Sequence, residues 1–255
     1  MTKAPKTDDE RRYKAPALAK GLDILELLAL ERAPLSNTQM ASKLGRSISE
    51  LFRMVVTLEE RGYIEQQTDG FVLTNKLFSL GLAQTRVRNL IETSLAEMKN
   101  LADKVGQSCH LTVCSNGQIV VVSRVENPRD LGFSVRIGYR RPLAESTSGA
   151  VLCAFHPMET KQKILAELAL NEDQEREFLM RILKVEQDGY AIRASDFVEG
   201  VTDISVPILE NTEAVAALTV PHVQCKPELA TIKGTLEAVK LAVSNIAALM
   251  NTERR

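Results

Sequence analysis

The chain has 255 residues, of which 44% are hydrophobic and 25% charged, a composition typical of globular proteins and a length that allows two domains. No stretch approaches the ~20 apolar residues that span a bilayer, and the polar N-terminus does not look like a secretion signal, so we expect a cytoplasmic protein. The four cysteines form no CxxC pair, which favours reduced thiols over a disulfide framework.

Charge alone does not indicate a nucleic-acid partner. The formal net charge is −1, whereas phosphate contacts require Lys and Arg. Residues 1–80 carry 12 Lys and Arg against 11 Asp and Glu, so this part of the chain is barely basic. A flexible polar tail over residues 1–16, with Arg11, Arg12 and Lys14, and doubling of the site in a dimer would supply further phosphate contacts.

A helix-turn-helix outline is predicted near the N-terminus. An amphipathic helix opens at Leu18, because apolar residues recur every three or four positions until the chain reaches Pro34. A Ser-x-x-Gln pattern then starts at Ser36 and a Ser-x-x-Glu pattern at Ser47. Each is a capping box, in which the serine and the third residue after it bond to each other's backbone N–H. Gly45 supplies the left-handed residue that separates the two helices.

The third helix, predicted from Ile48 to about Arg61, has one regularly spaced apolar face that must pack on the core. Ser49, Glu50 and Arg53 lie on the other side, where a recognition helix contacts DNA. Because Arg53 is the positive contact on that side, Glu50 is expected to read cytosine. The candidate DNA-binding residues are Thr38, Arg46, Ser47, Ser49, Glu50 and Arg53.

Alternating apolar and polar residues after Tyr63, interrupted by Asp69-Gly70, predict a two-stranded hairpin. Three helices followed by a hairpin make a winged helix-turn-helix domain, which we place over residues 17–76. A helical subdomain with a hairpin and no ligand is the alternative, since helix-turn-helix geometry also occurs in plain packing.

Residues 77–107 are almost unbroken helical sequence. A break near Arg88-Asn89 would divide them into a linker helix over residues 77–88, suited to pairing with a second subunit, and the first helix of an effector-binding domain over residues 89–255. One long buried helix is the alternative.

The second domain is predicted to be an antiparallel sheet covered by helices, which makes the fold class α+β. Asn116-Gly117 marks a tight hairpin between its first two strands. Residues 133–137 are predicted to form the third strand, and three more strands are predicted between residues 190 and 220. Pro227 is predicted to open the C-terminal helix.

No nucleophile elbow, P-loop, dinucleotide fingerprint or zinc signature occurs in the sequence, so we expect no enzyme, no cofactor and no metal. The three histidines do not share a metal-ligand spacing. His222-x-x-Cys225 and Cys109-His110 leave a metal- or thiol-redox-responsive regulator as an alternative, although buried cysteine usually behaves as a small hydrophobe.

Residues 144–149, Ala-Glu-Ser-Thr-Ser-Gly, form a serine-rich loop that enters a helix. The unpaired N–H groups and the positive dipole end of such a helix suit a small carboxylate or polar ligand. Simple N-capping by Ser146 or Thr147 is the alternative.

Several segments between about Leu18 and Asn251 together resemble the IclR family of bacterial transcriptional regulators. They are A-K-G-L-D-I-L-E-L-L, P-L-S-N-T-Q-M-A-S-K-L-G, L-F-R-M-V-V-T-L-E-E-R-G-Y-I, R-V-E-N-P, R-I-G-Y-R-R-P-L-A-E-S-T-S-G-A-V-L-C-A-F, D-G-Y-A-I and E-G-V-T-D-I-S-V-P-I. The resemblance implies an N-terminal winged helix-turn-helix, a linker helix that dimerises, a C-terminal GAF-like effector domain, and assembly as a homodimer or homotetramer.

The resemblance also implies roles for individual residues. Ser49, Glu50 and Arg53 fall at DNA-contacting positions, with Arg53 at the family's usual arginine and Ile48 where lysine is common. The effector pocket is implied to include Ser146, Thr147, Ser148, Gly149, Asp203 and Thr219.

Asp203 stands where family members often have cysteine. A carboxylate in a small, poorly hydrated pocket would repel an acidic effector. We therefore expect Asp203 to accept a hydrogen bond from a hydroxyl or amine of the effector, with Ser146 and Thr219 completing its polar contacts. Holding a strand turn is the alternative role for Asp203.

Together these features predict a regulator that binds double-stranded operator DNA, represses a catabolic operon and responds to a small metabolite bound in its C-terminal domain. Two alternatives remain. One is the metal- or redox-responsive regulator, and the other is a GAF-like binding module without a direct role on DNA. No membrane partner is expected.

Overall fold

The computed structural model describes residues 15–83, 85–129, 132–196, 198–226 and 229–252. The chain divides into two compact units between Thr85 and Arg86. Most of the predicted tail, residues 1–14, lies outside the described residues, as does Pro227, the predicted start of the last helix. None of the described helices combines the length and the apolar character that crossing a membrane requires.

The N-terminal unit has the element order predicted for a winged helix-turn-helix. Its elements are α1 (Pro16–Leu30), α2 (Asn37–Leu44), α3 (Ile48–Glu60), β1 (Ile64–Gln67), β2 (Gly70–Leu73) and α4 (Lys76–Leu82). Helix α1 begins two residues before the predicted Leu18, because proline suits the first turn, where its missing N–H would have no partner anyway.

Both predicted capping boxes are present. Ser36 Oγ accepts from the Gln39 N–H at 3.3 Å, and Gln39 Oε1 accepts from the Ser36 N–H at 2.8 Å. Ser47 and Glu50 form the same pair of bonds at 3.3 and 3.0 Å. Gly45 ends α2 in the left-handed conformation at φ 62°. These local bonds determine where α3 starts.

The core of this unit lies between α1, α2, α3 and the hairpin. It consists of Ile24, Leu28, Leu35, Met40, Ala41, Leu51, Val55, Ile64 and Phe71. The hairpin is attached to the preceding loop by two backbone hydrogen bonds between Leu35 and Phe71, at 3.1 and 2.9 Å. The wing is therefore held against the helices by backbone pairing as well as by apolar contact.

The helix break predicted near Arg88 and Asn89 is wrong. Helix α5 (Thr85–Val105) runs through both residues, and the interruption lies between Leu82 and Thr85. Arg88 supports the helical path because its Nε lies 3.9 Å from the Glu92 carboxylate one turn later. The structure thus contains a short helix α4 and a long helix α5, instead of either alternative considered from sequence.

The C-terminal unit is built on one antiparallel sheet of six strands. They are β3 (Cys109–Ser115), β4 (Gln118–Val125), β5 (Arg140–Pro142), β6 (Ala191–Ala194), β7 (Val201–Glu210) and β8 (Glu213–Val223), in the order β5-β4-β3-β8-β7-β6. The predicted hairpin turn is confirmed, with Asn116 and Gly117 both at positive φ. The helices are α5, α6 (Thr147–Ala154), α7 (Met158–Leu168), α8 (Glu172–Asp188) and α9 (Ile232–Thr252).

The strand predicted at residues 133–137 is wrong. The strand that pairs with β4 comes later, with Val120 opposite Arg140 and Gln118 opposite Pro142. The apolar alternation that suggested a strand has another cause, because Phe133 and Val135 line a cleft beside the sheet.

Helices cover both faces of the sheet. Helices α5 and α9 pack on one face, around Met98, Leu218 and Val239. On the other face lie α6 and α8, with Phe178 fully buried between them and the sheet. Every residue of α6 is buried, so this short helix forms the inner wall of the unit. Its N-terminus opens onto the polar residues described below.

Gly70 provides a test of the wing attachment. A Cβ on Gly70 would lie 2.4 Å from the backbone carbon of Leu35, and its φ of +144° suits only glycine. We expect Gly70→Ala to lower the free energy of unfolding by about 3 kcal/mol in urea denaturation. Gly62→Ala is the control, because Gly62 has φ +69° and open space around it, so only about 1 kcal/mol should be lost. Equal losses in the two variants would contradict this account.

Candidate functional site

Helix α3 presents the predicted DNA-binding residues on its outer side. Ser49, Glu50 and Arg53 are exposed, while Leu51 and Val55 on the opposite side are 2% exposed. Arg46 and Ser47, just before the helix, and Thr38 on α2 are exposed as well. The structure thus gathers Arg46, Ser47, Ser49, Glu50 and Arg53 at the first two turns of one helix.

Glu50 is engaged within the protein. Its Oε2 accepts from the N–H and the hydroxyl of Ser47, both at 3.0 Å, and its Oε1 lies 3.0 Å from Lys20 Nζ on α1. The Ser47 N–H and then Lys20 lower the pKa of Glu50 to about 2, so the carboxylate stays charged. This geometry favours a capping role for Glu50 over the cytosine contact expected from sequence, since that contact would compete with the cap.

The two arginines of this surface, Arg46 and Arg53, differ in ion pairing. The guanidinium of Arg46 lies 3.3 Å from the Asp23 carboxylate. Arg53 is exposed and forms no ion pair with the described residues. Arg53 is therefore the residue of this surface most available to phosphate or to a base edge.

The C-terminal unit contains a cleft between the sheet, the α6 N-terminus and the segment before β5. It encloses about 540 Å³ of empty space, including its open mouth. Its apolar lining consists of Ile119, Val121, Phe133, Val135, Tyr139 and Ala194, and its polar lining of His110, Arg141, Glu145, Ser146, Thr147, Ser148, Ser195, Asp196, Asp203 and Thr219. A concave site that combines apolar side chains with convergent polar groups is typical of small-molecule sites.

Five of the six predicted effector residues line this cleft, and Gly149 does not. Ser146 Oγ accepts from the Gly149 N–H at 2.9 Å and donates to the Leu143 carbonyl at 3.3 Å, so its hydroxyl is used as the N-cap of α6. A Cβ on Gly149 would lie 2.1 Å from the Leu143 carbonyl oxygen. Ser146 and Gly149 therefore build the tight turn. Thr147 and Ser148 are the loop residues whose hydroxyls are not committed to this cap.

Asp203 lies at the polar end of the cleft. Its Oδ2 accepts from the Thr147 hydroxyl at 3.2 Å, a bond that joins β7 to the start of α6. Burial raises the pKa of Asp203, while the Thr147 bond and the charge of Arg141 act in the opposite direction. Two residues further along β7, Ser205 lies opposite Thr219 of β8. The hydroxyls of these two residues are 2.9 Å apart and buried.

Arg141 is a cleft residue that sequence reasoning missed, although it stands in the quoted segment just before the serine-rich loop. Its side chain is 17% exposed, and its guanidinium lies 3.5 Å from Glu145 and 3.6 Å from Asp196. A positive charge therefore lines the same cleft as Asp203. Glu145 and Asp196 line the cleft as well, so this guanidinium is shared among several carboxylates.

His110 was also missed as a cleft residue. It is 7% exposed, lies opposite Thr219 in the β3–β8 pairing, and has a buried Nδ1 with no hydrogen-bond partner among the described residues. Burial lowers the pKa of His110 to about 4, so the ring is neutral at pH 7. A neutral imidazole can accept or donate one further hydrogen bond in the cleft.

Cys109, one member of the Cys109-His110 pair raised as a possible metal or redox site, has a protected thiol. No three His, Cys, Asp or Glu side chains among the described residues are grouped so that they could hold a metal ion. Cys109 and Cys153 are buried, and burial raises the pKa of each thiol to about 12. These two thiols stay protonated, which makes them poor nucleophiles.

The fold and its two surfaces define a class of protein, a transcriptional regulator with an N-terminal DNA-binding domain and a C-terminal ligand-binding domain. Residues 17–68 match the family model of the IclR helix-turn-helix domain, and residues 82–248 match that of the bacterial transcriptional regulator IclR C-terminal domain. The chain belongs to the IclR family. Members of this family are DNA-binding transcription factors and not enzymes.

Individual relatives agree with this assignment. The chain is 27% identical over 217 residues to the HTH-type transcriptional regulator KdgR of Escherichia coli. The matched region covers 82% of each chain. It is 28% identical over 200 residues to the glycerol operon regulatory protein of Streptomyces coelicolor, which covers 75% of this chain and 78% of the relative. The crystal structure of an IclR homologue from Microbacterium hydrocarbonoxydans, complexed with 4-hydroxybenzoate, has a TM-score of 0.79 at 20% identity, covering 92% of this chain and 99% of that one.

His110 predicts a specific pH dependence of stability. Its pKa is about 4 in the folded protein and about 6.5 when unfolded, so between these values only the unfolded state binds the proton. The contribution of His110 to the free energy of unfolding is therefore fully present above pH 6.5. It decreases as the pH falls toward 4, by up to ~3 kcal/mol. We expect urea denaturation at a series of pH values to show a shallower loss for His110→Asn than for the unmodified protein.

His156→Asn is the control for this experiment. Burial lowers the pKa of His156 too, but its side chain is only partly buried and the charge of Glu213 opposes the shift. Its substitution should change the pH dependence less. If His110→Asn left the slope unchanged, burial of a neutral His110 would be refuted.

Proposed function

We propose that this chain represses a catabolic operon by binding its operator as a homodimer or homotetramer, and that a small metabolite in the C-terminal cleft relieves repression. The observation that carries the proposal is the pairing, in one chain, of a capped recognition helix with exposed Arg53 and a cleft with a buried polar end. The glycerol operon regulatory protein among the relatives supports a catabolic target. Chromosomal DNA as the target implies action in the cytoplasm.

The weak net charge of the chain favours DNA binding by an assembly of protomers over binding by a single protomer. A net charge of −1 and few available cations on α3 give one protomer little affinity for phosphate. Two recognition helices on one assembly would bind two half-sites, and the second contact would then form at high effective concentration. An effector that binds one arrangement of the protomers better than another would shift that balance and change the half-site spacing.

The cleft supports a small effector with an apolar body and a polar end. Asp203 and Thr219 are the contacts expected from sequence for its hydroxyl or amine, and Thr147 takes the place of Ser146, whose hydroxyl caps α6. Arg141, beside Glu145 and Asp196, brings a positive charge to the same cleft. We therefore include small carboxylic acids among the proposed effectors. The 4-hydroxybenzoate bound to the Microbacterium homologue supports an aromatic hydroxy acid as a first probe.

Arg53 tests the DNA-binding surface. We expect Arg53→Ala to lower affinity for DNA upstream of the chain's own gene about tenfold or more in a gel-shift assay. If Arg53 contacts phosphate, the salt dependence of binding should also fall by about one counterion per site. Arg176→Ala removes the same charge from an exposed position in the C-terminal unit and should leave affinity unchanged. Equal affinity of the Arg53 variant and the unmodified protein would remove Arg53 from the DNA contacts.

Asp203 tests the effector site. Release from DNA would be titrated with a panel of small acids and their hydroxylated forms, beginning with 4-hydroxybenzoate. Asp203→Ala should raise the concentration of an active compound needed for release about tenfold, because a buried hydrogen bond to a charged group is lost, while DNA affinity without the compound stays the same. Asp173→Ala, at an exposed position of α8, is the control. An unchanged response in Asp203→Ala would exclude Asp203 as an effector contact.

A further inference from the structure

Two large apolar side chains lie exposed on the recognition helix. Ile48 is 46% exposed and Phe52 is 55% exposed. They are four residues apart on α3 and therefore lie one above the other on the same side of the helix. An exposed apolar side chain does not gain the stabilisation that burial would give. Two of them together on the outer side of α3 therefore suggest a surface that binds another molecule.

These two side chains do not contribute to the core of the N-terminal unit. The core side of α3 is already formed by Leu51 and Val55, both buried. The apolar pair instead borders Ser49 and Arg53, the residues that follow each of its members along the chain. The pair is thus continuous with the surface through which a helix-turn-helix domain binds DNA.

The polar side chains beside this pair have few bonds left for bases. Both carboxylate oxygens of Glu50 are used by Ser47 and Lys20, and Arg46 is paired with Asp23. Arg53 is then the available charged group on this side of α3. Readout by hydrogen bonds to bases is correspondingly limited, and much of the surface that α3 offers to a groove is apolar.

The major groove presents one apolar group on the edges of its bases, the C5-methyl of thymine. We infer that Ile48 and Phe52 read thymine methyl groups, so that operator half-sites carry thymine at the positions facing this pair, next to the base or phosphate that Arg53 contacts. This inference rests on the proposed DNA-binding function. It assigns sequence preference to apolar contact, at Ile48 in the position where the resemblance to the family leads us to expect a lysine.

The test starts from the DNA that the full-length protein selects from a random duplex library. Each thymine of the selected half-site is then replaced by deoxyuridine, which removes the methyl group and keeps the base pair. We expect about a fourfold loss of affinity for each methyl that Ile48 or Phe52 contacts, the loss that corresponds to one buried methyl group. Arg53 contacts should be insensitive to the replacement.

Variants locate the effect. The deoxyuridine penalty should disappear in Phe52→Ala at one position and in Ile48→Ala at another, and Phe52→Leu should retain part of it. Leu183→Ala removes an exposed leucine from α8 in the C-terminal unit and should keep the full penalty. Circular dichroism checks that each variant is folded, which is expected because both side chains lie outside the core.

The outcomes separate this inference from the proposed function. Selected DNA without thymine in its half-sites, or a deoxyuridine penalty that is absent or equal in Phe52→Ala, Ile48→Ala and the unmodified protein, overturns the apolar readout and leaves DNA binding intact. Failure to select any DNA sequence overturns both. A penalty that is specific to these two side chains supports the inference.

Discussion

The first N–H groups of a helix have no acceptor within the helix, and two serines that accept from such groups fix both candidate surfaces of the protein. Ser47 and Glu50 start α3, which settles which of its residues face the core and which face outward. Ser146 starts α6 and closes the turn from Leu143, so that Thr147 meets Asp203. Each capping group is thereby bound within the protein. The proposed ligand contacts are therefore neighbouring residues, Arg53 at the first surface and Thr147 at the second.

Several polar groups of the cleft are likewise bonded to other groups of the protein. The Thr147 hydroxyl at the start of α6 donates to Asp203, and the sheet hydroxyls of Ser205 and Thr219 lie within hydrogen-bond distance of each other. His110 keeps an unpartnered Nδ1 among the described residues, and Arg141 brings a guanidinium to the same space. A buried polar atom without a partner is costly, and a ligand that supplies the missing bond recovers that cost. The cleft therefore favours a molecule that is polar at one end and apolar along its length.

Local sequence signals predicted most of the fold correctly, and two errors have physical causes. The turn at Asn116-Gly117 and the cap at Ser36 depend on residues a few positions apart, so both are readable from the chain. The strand predicted at residues 133–137 failed because apolar alternation does not specify a pairing partner: Phe133 and Val135 are half-buried along a cleft and Ile137 is exposed. The helix break failed because residues 77–107 carry no proline, and Arg88 and Asn89 are compatible with a helical interior.

The sequence by itself determined the order of the helices and the hairpin over residues 17–76, their caps and the side of α3 that faces outward, because these follow from bonds and periodicity within a few residues. The tertiary structure alone decided how the outward residues are used. Lys20 from α1 engages Glu50, Asp23 engages Arg46, and Arg141 comes to lie with Asp203 although the two are far apart in the chain. Such pairings depend on how distant segments pack, and the periodicity of one segment carries no information about its partner. For this reason the sequence predicted both the cap at Glu50 and a cytosine contact by the same side chain, and only the structure shows that Lys20 occupies its other carboxylate oxygen, while the apolar pair beside it, Ile48 and Phe52, remains exposed.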